Sequence, residues 1–391
     1  MKKGWTIVKL GDVCDLMTGG TPSKSKREYF DGGGVRWLVS GDINKKHIKD
    51  CDGRITQLGL MNSNAKYLPV NSVMIALNGQ GKTRGTVALL KVKATCNQSL
   101  VSIFPKDVKQ LMPEYLYANL HGRYEEIRRI TGDSGNDRRG LNMPLIRNIE
   151  LPIPPLAEQK RIVAILDEAF EEIDRAIAHT KKNLANAREL FDSYLNNVFT
   201  QKGDGWVEKK MGEVCVLQRG FDLPKRLRSA GEFPLVSSSG IIDFHAEAKV
   251  QGLGVVTGRS GSIGNVFFME EDFWPLNTAL YVKEFFGNHP KFIYYLLKKF
   301  NLKNYASGAG VPTLNRNHVH SEIIIIPENI EVQIEIVERL EELFYKTQQL
   351  ESIYRKKLEA LAELKQSLLQ KAFAGELTAE PEASLKQEAM A

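Results

Sequence analysis

The feature that most constrains this 391-residue chain is an internal repeat of a globular segment followed by a long helical segment. The stretch beginning at Trp5 returns at Trp206, an offset of 201, with Trp, Lys, Gly, Val, Cys and Leu in register. The helical stretches match at an offset of 174, as in Gln159 and Gln333. The offset falls from 201 at the start of the copies to 174 at the helices. The two copies are therefore alike at their ends and differ in length and sequence in the middle. We therefore expect two related units, each followed by a long helix.

Both helical stretches carry a heptad seam of apolar and small residues, with one extra four-residue step at the same place. That step runs from Thr180 to Leu184 in the first copy and from Tyr354 to Leu358 in the second. Helices that share a stutter can pack along their whole length, about 60 Å for about 40 residues. The predicted contact positions are Ile162, Leu166, Ile173, Leu184, Phe191, Ile336, Leu340, Leu343, Leu350, Leu358, Leu361 and Leu368.

The connectivity favours an antiparallel coiled coil, because the second helix can then return to the first unit and create a pseudo-twofold axis. The alternative is that each amphipathic helix packs separately on its own domain. A rod of this kind is also a surface on which other subunits can dock.

Both globular segments read as mixed α/β. Short apolar runs alternate with turn residues, and each segment has one predicted helix led by proline, over Pro113–Arg129 and over Pro290–Lys299. The predicted strands are 35–39, 73–77, 86–90, 99–104, 255–257, 265–268, 279–282 and 323–326. The predicted divisions are a first domain at 1–154, a helix at 155–202, a second domain at 203–327, a helix at 328–375 and a flexible tail at 376–391.

Composition excludes several classes of protein. Hydrophobic residues make up 42% and charged residues 26%, which is typical of a globular chain and not of a disordered one. We expect a cytoplasmic protein, because no apolar run is long enough to span a membrane and the N-terminus lacks a signal-peptide core. The 4 cysteines form no CxxC pair, so we expect reduced thiols and no zinc ribbon.

Positive charge is concentrated in the globular segments. Residues 1–155 hold 24 basic and 14 acidic residues, residues 201–327 are also net basic, and both helical stretches are net acidic. Contact with a phosphate backbone requires such a bias. The candidate DNA contacts lie in polar or glycine-containing stretches: Lys24, Lys26, Arg27, Lys45, Lys46, Lys82, Arg84, Arg138, Arg139, Lys225, Arg226, Arg228, Arg259 and Arg316.

Each catalytic motif that the sequence suggests is incomplete or lies in the wrong context. The stretch from Ala76 to Thr83 nearly fits a phosphate-binding loop, but glycine and β-branched residues follow it where a helix is needed. The amino-methyltransferase motif Asn/Asp-Pro-Pro-Tyr is missing, and the half-motif at His245 lacks its cysteine pair. His318 and His320 have no third metal ligand nearby. The chain reads as non-catalytic, without a metal of its own.

Several motifs resemble those of a known family. They are Trp-x5-Gly-Asp/Glu-Val at the head of each copy, the stretches 18–23 and 37–42, and the run from Leu151 to Ile162, Leu-Pro-Ile-Pro-Pro-Leu-Ala-Glu-Gln-Lys-Arg-Ile. The chain resembles the specificity subunit of type I restriction–modification enzymes over residues 4–375. The second copy of the proline-rich run keeps one proline, Glu331 and Gln333.

The resemblance implies that each globular unit is a target recognition domain that reads one half of a bipartite site in double-stranded DNA. The helix pair sets the distance between the halves, and two adenine-methylating subunits and the restriction subunits complete the assembly. This chain would bind no cofactor. S-adenosylmethionine, ATP and Mg would belong to the other subunits.

Two other functions stay open at the sequence level. One is a coiled-coil scaffold, or a silent specificity chain, whose basic domains bind protein. The other is nucleotide hydrolysis at the loop around Lys82. The divergent middles of the two copies predict that the two half-sites differ in sequence.

Overall fold

The computed structural model describes residues 4–79, 83–130, 140–200, 203–308 and 312–378. Its contacts divide the chain into two compact units. Unit 1 comprises residues 1–178 and 358–391, and unit 2 comprises residues 179–357. Each unit therefore joins one globular segment to part of each long helix.

Unit 1 is built on a five-stranded sheet in the order β2-β9-β6-β7-β4. All its neighbours are antiparallel except β4 and β7. A second sheet has the order β5-β3-β8, and β1 pairs with β10. The elements are β1 (Thr6–Lys9), α1 (Leu10–Val13), β2 (Cys14–Thr18), β3 (Val35–Leu38), β4 (His47–Ile48), β5 (Arg54–Ile55), α2 (Gln57–Met61), β6 (Val73–Ala76), β7 (Val87–Leu90), β8 (Thr95–Cys96), β9 (Leu100–Pro105), α3 (Pro113–Gly122), α4 (Tyr124–Arg129), α5 (Met143–Arg147), β10 (Glu150–Ile153) and α6 (Leu156–Val198), which continues into unit 2.

Unit 2 has a four-stranded antiparallel sheet in the order β12-β18-β15-β16. Smaller sheets have the order β14-β13-β17 and the pairs β11-β21 and β19-β20. The elements are β11 (Trp206–Lys210), α7 (Met211–Val214), β12 (Val216–Arg219), β13 (Phe233–Ser237), β14 (Gly240–His245), β15 (Gly254–Gly258), β16 (Val266–Met269), β17 (Trp274–Pro275), β18 (Ala279–Glu284), α8 (Pro290–Lys299), β19 (Ala306–Ser307), β20 (Thr313–Leu314), α9 (Arg316–Ser321), β21 (Ile323–Pro327) and α10 (Ile330–Ala374), which continues into unit 1.

The two units share one topology. The main sheets correspond strand for strand, β2-β9-β6-β7 with β12-β18-β15-β16. In each second sheet the middle strand pairs parallel with one neighbour and antiparallel with the other. Helices α3 and α8 both begin with proline, and α5 and α9 are both capped by asparagine. The sequence repeat is therefore a repeat of the fold.

A buried glutamine anchors the proline-led helix in each unit. The Gln159 side chain accepts a hydrogen bond from the Met112 N–H at 2.9 Å and donates to the carbonyls of Gln110 and Pro154. Its counterpart Gln333 accepts from the His289 N–H at 2.9 Å and donates to Asn288 and Pro327. In both units this amide ties the start of the long helix to the start of the shorter one.

The long helices α6 and α10 pack antiparallel, as the sequence predicted. Within unit 1, Lys365 forms an ion pair with Asp174 at 2.9 Å and lies over the Phe170 ring. Within unit 2, Arg188 forms an ion pair with Glu351 at 3.1 Å, and the rings of Phe191 and Phe344 are 5.4 Å apart. In unit 1 the C-terminal part of α10 contacts the first half of α6, and in unit 2 the C-terminal part of α6 contacts the first half of α10 and its middle. This order of contacts is that of antiparallel helices.

Most seam positions are buried or half-buried, and three differ from the simple heptad. Near the start of α10 the buried residue is Val337, at 5% exposure, one position beyond Ile336. Leu350 is 36% exposed. Near the end of α10 the fully buried leucine is Leu369, at 3% exposure, one position beyond Leu368. The reason is local packing, because this end of α10 also covers α3, where a Cβ on Gly122 would lie 3.0 Å from Leu369.

The predicted strands all form, with shifts of one or two residues at their ends, and α8 has its predicted bounds. The predicted helix at 113–129 is instead divided into α3 and α4, because Arg123 leaves the helical conformation with φ −102° and ψ 21°. The strands that the sequence did not predict are β1, β2, β4, β5, β8, β10, β11, β12, β13, β14, β17, β19 and β20. Pairing with a central strand stabilises β2 and β12, whose own apolar pattern is weak.

Candidate nucleic-acid interface

One edge of the main sheet in unit 1 gathers several loops. Strands β2 and β6 end at this edge and β9 begins there, because Thr18 pairs with Val101 and Ala76 pairs with Leu100. Strand β7 also begins there, antiparallel to β6. We call this the loop edge of unit 1. Its described loops are 19–34, 77–79, 83–86 and 97–99.

The first of these loops is fixed closely against the sheet. The Gly20 N–H donates to the Cys96 carbonyl at 3.0 Å, and the Trp37 indole N–H donates to the Gly20 carbonyl at 2.9 Å. A Cβ at Gly19 would lie 1.8 Å from the Cys96 carbonyl oxygen. Only glycine allows this approach, which explains the Gly-Gly pair and holds the following residues on a rigid base.

Three predicted cations lie on this loop. Lys24, Lys26 and Arg27 are exposed, and Arg27 begins a short 3-10 turn. The Lys26 ammonium donates to the Tyr29 hydroxyl at 3.1 Å, and this hydrogen bond, with the field of the phenol and Glu28, raises the pKa of Lys26. Lys24 and Arg27 form no ion pair with any described residue, so both charges face solvent.

Unit 2 has an equivalent loop edge. Arg219 at the end of β12 pairs with Leu280, and Gly258 at the end of β15 pairs with Ala279. The Gly220 backbone crosses the sheet edge so closely that a Cβ would lie 2.4 Å from the Leu276 carbonyl oxygen. Its described loops are 220–232, 259–265 and 276–278.

A second cluster of predicted cations lies on the equivalent loop of unit 2. Lys225 and Arg226 are exposed on a 3-10 turn, Lys225–Leu227, and form no ion pair with any described residue. Arg228 is half-buried, with its Nη1 3.8 Å from an Asp243 carboxylate oxygen. Both units therefore carry exposed cations in or just before a 3-10 turn between corresponding strands, although the sequences of the two loops differ. We call each of these segments, residues 24–29 and 225–227, a cationic 3-10 turn.

Two of the remaining arginines, Arg259 and Arg316, donate hydrogen bonds to backbone carbonyls. Arg259 follows β15 on the loop edge of unit 2 and donates to the Asn277 carbonyl at 3.2 Å. Arg316 begins α9, is exposed, and donates to the Leu217 carbonyl at 3.2 Å. Arg84 lies in the turn before β7, on the loop edge of unit 1. Lys82, Arg138 and Arg139 lie outside the described residues.

Lys45 and Lys46 form ion pairs with carboxylates. Lys45 bonds to Asp42 at 2.9 Å, and this bond raises the pKa of the lysine. Lys46 reaches Asp174 on α6 at 3.3 Å. Lys46 therefore faces the long helix, whereas the cations of the 3-10 turns face solvent.

Amide side chains on the loop edges were missed by the sequence reasoning, which considered only cations. Asn78 and Gln98 are exposed in unit 1, and Asn277 is half-buried in unit 2. Amides can bond to adenine edges with two hydrogen bonds. A signal did exist, because Asn97 and Asn277 both stand three residues before a leucine of equivalent strands.

The cysteine and histidine side chains that could support catalysis are buried or bonded to the backbone. Burial raises the pKa of the Cys14, Cys96 and Cys215 thiols to about 12, which removes them as nucleophiles near neutral pH. The His320 Nε2 accepts the Leu217 N–H at 2.9 Å, and burial and the nearby Arg316 lower the pKa of this imidazole.

The stretch that nearly fits a phosphate-binding loop is followed by a different fold from that of such a loop. Residues 83–90 form a turn and strand β7, as predicted, in place of the helix that a phosphate-binding loop needs. Across the described residues no group of His, Cys, Asp and Glu could hold a metal ion. In the same residues no helix is long and apolar enough to cross a membrane.

The fold and its two loop edges define a duplicated α/β protein whose units are joined by an antiparallel helix pair. The family model described as the type I restriction modification DNA specificity domain matches residues 2–186 and 203–360. The chain therefore belongs to the family of type I restriction–modification specificity subunits, and is not the catalytic component of such a system.

Individual relatives agree with this assignment. The chain is 28% identical to the EcoR124I/EcoR124II specificity subunit of Escherichia coli over 193 residues, about half the length of each. It is 23% identical to the MjaIX specificity subunit of Methanocaldococcus jannaschii over 97% of this chain and 94% of that one.

Two solved structures share the fold at 18% identity. One is a chain of a type I restriction–modification system studied for its assembly and conformational transition, with a TM-score of 0.79 over 96% of this chain and 99% of that one. The other is the HsdS subunit from Thermoanaerobacter tengcongensis, with a TM-score of 0.66 over 96% and 98%.

Proposed function

We propose that this specificity subunit recognises an asymmetric bipartite site in double-stranded DNA, with one half-site read by each unit. The observation that carries the proposal is the equivalence of the two loop edges. Each presents a cationic 3-10 turn and amide side chains on a rigid sheet edge, while the loop sequences differ. A shared scaffold with different loops is suited to reading two different sequences.

The chemistry of the loop edges supports DNA as the ligand. Exposed Lys24, Arg27, Lys225 and Arg226 are free to bind phosphate, which positions a protein on the duplex. Arg259, together with Asn78 and Gln98, offers the donors that distinguish base edges in the major groove. The domain divisions given above, with recognition domains at 1–154 and 203–327, remain part of the proposal.

The helix pair is proposed to fix the separation of the half-sites and to dock the partners. α6 has 43 residues and α10 has 45, so each is about 65 Å long at 1.5 Å per residue. Two methyltransferase subunits with S-adenosylmethionine, and restriction subunits with ATP and Mg, would supply the chemistry. Base flipping by the methyltransferase would expose each target adenine.

A scaffold or silent specificity chain whose basic domains bind protein predicts a different response to salt. Binding through phosphates must release counterions, so the DNA affinity of a recognition subunit falls steeply as salt rises. A flat salt response would favour the scaffold. Absence of ATP binding by the chain alone would dispose of nucleotide hydrolysis around Lys82.

A methylation map is the direct test of the proposed function. The chain is co-expressed with its cognate methyltransferase, and modified adenines in host DNA are read by long-read sequencing. We expect one motif with two short, different halves around a fixed unspecified gap. A soluble complex that modifies no DNA would contradict the proposal.

A further inference from the structure

The loop after the first strand of each main sheet meets the segment before the partner strand at one point of the loop edge. In unit 1 the Gly20 N–H donates to the Cys96 carbonyl at 3.0 Å, and in unit 2 the Phe221 N–H donates to the Pro275 carbonyl at 2.8 Å. The two hydrogen bonds occupy the same place in the fold, because β2 pairs with β9 as β12 pairs with β18. The residues that follow can therefore be compared position by position.

One residue further along each loop, a side chain bonds across to the partner segment. In unit 1 the Thr21 hydroxyl donates to the Gln98 side-chain oxygen at 2.6 Å. In unit 2 the Asp222 carboxylate accepts a hydrogen bond from the Asn277 side-chain N–H. Each amide stands two residues after the carbonyl that accepts the backbone bond, so the two contacts are equivalent. We call them the amide bridges of the loop edges.

The amide bridges differ in charge although they share a place in the fold. Thr21 is neutral, whereas both oxygens of the Asp222 carboxylate accept from the Arg219 Nη2, each at 3.1 Å. The guanidinium balances the carboxylate, which therefore does not add a net negative charge to a DNA-facing edge. Gln98 is exposed and Asn277 is half-buried, so both amides keep an open side at the loop edge.

Each bridge leaves its amide with a defined set of free groups. Asn277 gives one N–H to Asp222 and keeps the other N–H and its oxygen. Gln98 uses one lone pair of its oxygen for Thr21 and keeps the second lone pair and both N–H groups. An adjacent donor and acceptor match the major-groove edge of adenine, where N7 accepts and N6 donates. Guanine offers two acceptors there and would leave the amide oxygen without a partner.

The bridges also fix which end of each amide faces the base. A free amide side chain can turn over and exchange its donor for its acceptor, and it loses that freedom on binding. A hydrogen bond from the neighbouring loop favours one orientation before DNA arrives, which reduces the entropy cost of the contact. The same preorganisation is present in both units although the bridging residues differ, which points to one shared kind of contact.

We propose that Gln98 and Asn277 each read an adenine in the major groove, one in each half-site, and that Thr21 and Asp222 position them. The inference rests on the proposed function, which supplies the DNA. It adds the base that each unit reads at this place and the residues that hold the reader. An adenine flipped out for methylation cannot be read from the groove, so the predicted adenine is a different one.

Removal of one atom from the DNA tests the contacts. The full chain, in complex with its cognate methyltransferase, is titrated with duplexes that carry its motif. In each duplex one adenine other than a methylation target is replaced by 7-deazaadenine, which lacks the N7 acceptor. We expect one adenine in each half-site at which this replacement weakens wild-type binding about fivefold, the cost of one lost hydrogen bond and an unpaired donor.

Variants of the two amides identify which side chain contacts each of these adenines. Asn277→Ala is expected to bind 7-deazaadenine and adenine equally well in one half-site, and Gln98→Ala to do so in the other. Each variant keeps the wild-type response in the half-site that it does not read, which shows that the complex is folded. Gln349→Ala removes an exposed amide from α10 and is expected to respond as the wild type does in both half-sites.

The positioning residues are tested with conservative and non-conservative changes. Asp222→Asn keeps an acceptor for the Asn277 N–H and Thr21→Ser keeps the hydroxyl, so both variants should retain the preference for adenine. Asp222→Ala and Thr21→Val remove the bridge and should reduce that preference about fivefold. Asp222→Ala should add no further loss of preference to Asn277→Ala, whereas a role of Asp222 that is independent of the amide would make the losses additive.

The outcomes separate this inference from the proposed function. A motif in which one half has no A·T pair besides that of its methylated adenine overturns the amide contacts and leaves bipartite recognition standing. The same conclusion follows if the amide variants stay sensitive to 7-deazaadenine, or if Gln349→Ala loses that sensitivity. A wild-type complex that binds no DNA overturns the proposed function itself.

Discussion

At the scale of single residues, His320 illustrates how repeat-equivalent positions take different chemistry. His320 occupies the place of Arg147 in the first copy, and its Nε2 accepts the Leu217 N–H of β12 at 2.9 Å. That bond exists only while the imidazole is neutral. Burial and the charge of Arg316 both favour the neutral form, which is why the pKa is lowered.

The stability of unit 2 is therefore expected to fall in mild acid. A histidine with a lowered pKa in the folded state is protonated first in the unfolded state, near pH 6.5, so stability is present above that pH. It is lost progressively as pH falls from there towards the folded pKa. The measurement is the urea midpoint from pH 7.5 to 5 for wild type and His320→Gln.

Glutamine retains an acceptor without titrating, so the His320→Gln curve is expected to be flatter in this window. His318→Gln, at an exposed neighbouring position, controls for the removal of an imidazole. Parallel curves for wild type and His320→Gln would show that the Leu217 contact does not govern the acid response.

Arg259 is the clearest single candidate for reading a base in unit 2. Its guanidinium is steadied by the Asn277 carbonyl at 3.2 Å on the loop edge. Arg259→Ala is expected to cost about 1–3 kcal/mol of binding and to relax specificity at one base pair. The methylation map of the variant should change in one half-site only. Unchanged affinity and an unchanged motif would remove Arg259 from the interface.

At the scale of elements, the cationic 3-10 turns should govern the salt dependence of DNA binding. Lys24→Ala/Arg27→Ala removes two exposed charges that form no ion pair with described residues. If both bind phosphate, the slope of log affinity against log salt becomes shallower by about 2. Titrations at several salt concentrations measure this slope.

The matched control for the turn is Lys181→Ala/Lys182→Ala, which removes two exposed charges from α6. We expect its slope to equal that of the wild type. Equal slopes for all three proteins would place the first 3-10 turn away from DNA. The same design with Lys225 and Arg226 tests the second turn.

The glutamine anchors make a second prediction at this scale. Gln159→Ala leaves the Met112 N–H and two carbonyls at the junction of α3 and α6 without their partner. A loss of about 1–3 kcal/mol in the free energy of unfolding is expected, because buried polar groups lose their hydrogen bonds. Urea unfolding measures it, with exposed Gln349→Ala as the control within about 0.5 kcal/mol of wild type.

At the scale of the whole molecule, residues from both ends of the chain complete the core of unit 1. Leu369 and Ala372 of α10 are buried in it at 3% and 0% exposure, and the Phe373 ring lies 5.8 Å from that of Tyr115. The Thr378 hydroxyl bonds to Glu158, which also accepts from the Trp5 indole. The first globular segment therefore depends on the last described helix.

Leu369→Ala is accordingly expected to destabilise a segment more than 200 positions earlier in the sequence. Truncating a buried leucine costs about 2–5 kcal/mol. Hydrogen exchange should show faster exchange in strands of unit 1, with unit 2 less affected. Leu364→Ala, at a position 48% exposed, is the matched control. Faster exchange confined to unit 2 would contradict this dependence.

The sequence by itself determined the duplicated architecture, because heptad steps, proline-led helices and apolar strands are local patterns that need no partner to be read. It also showed that the cations of the globular segments are concentrated in polar or glycine-containing stretches. Only the tertiary structure decided that Lys46 is held by Asp174 and that Leu369, not Leu368, is the fully buried leucine. It also decided that separate loops share one sheet edge. These outcomes depend on strand pairing and on helix contacts between residues distant in sequence, and local patterns do not encode those distances.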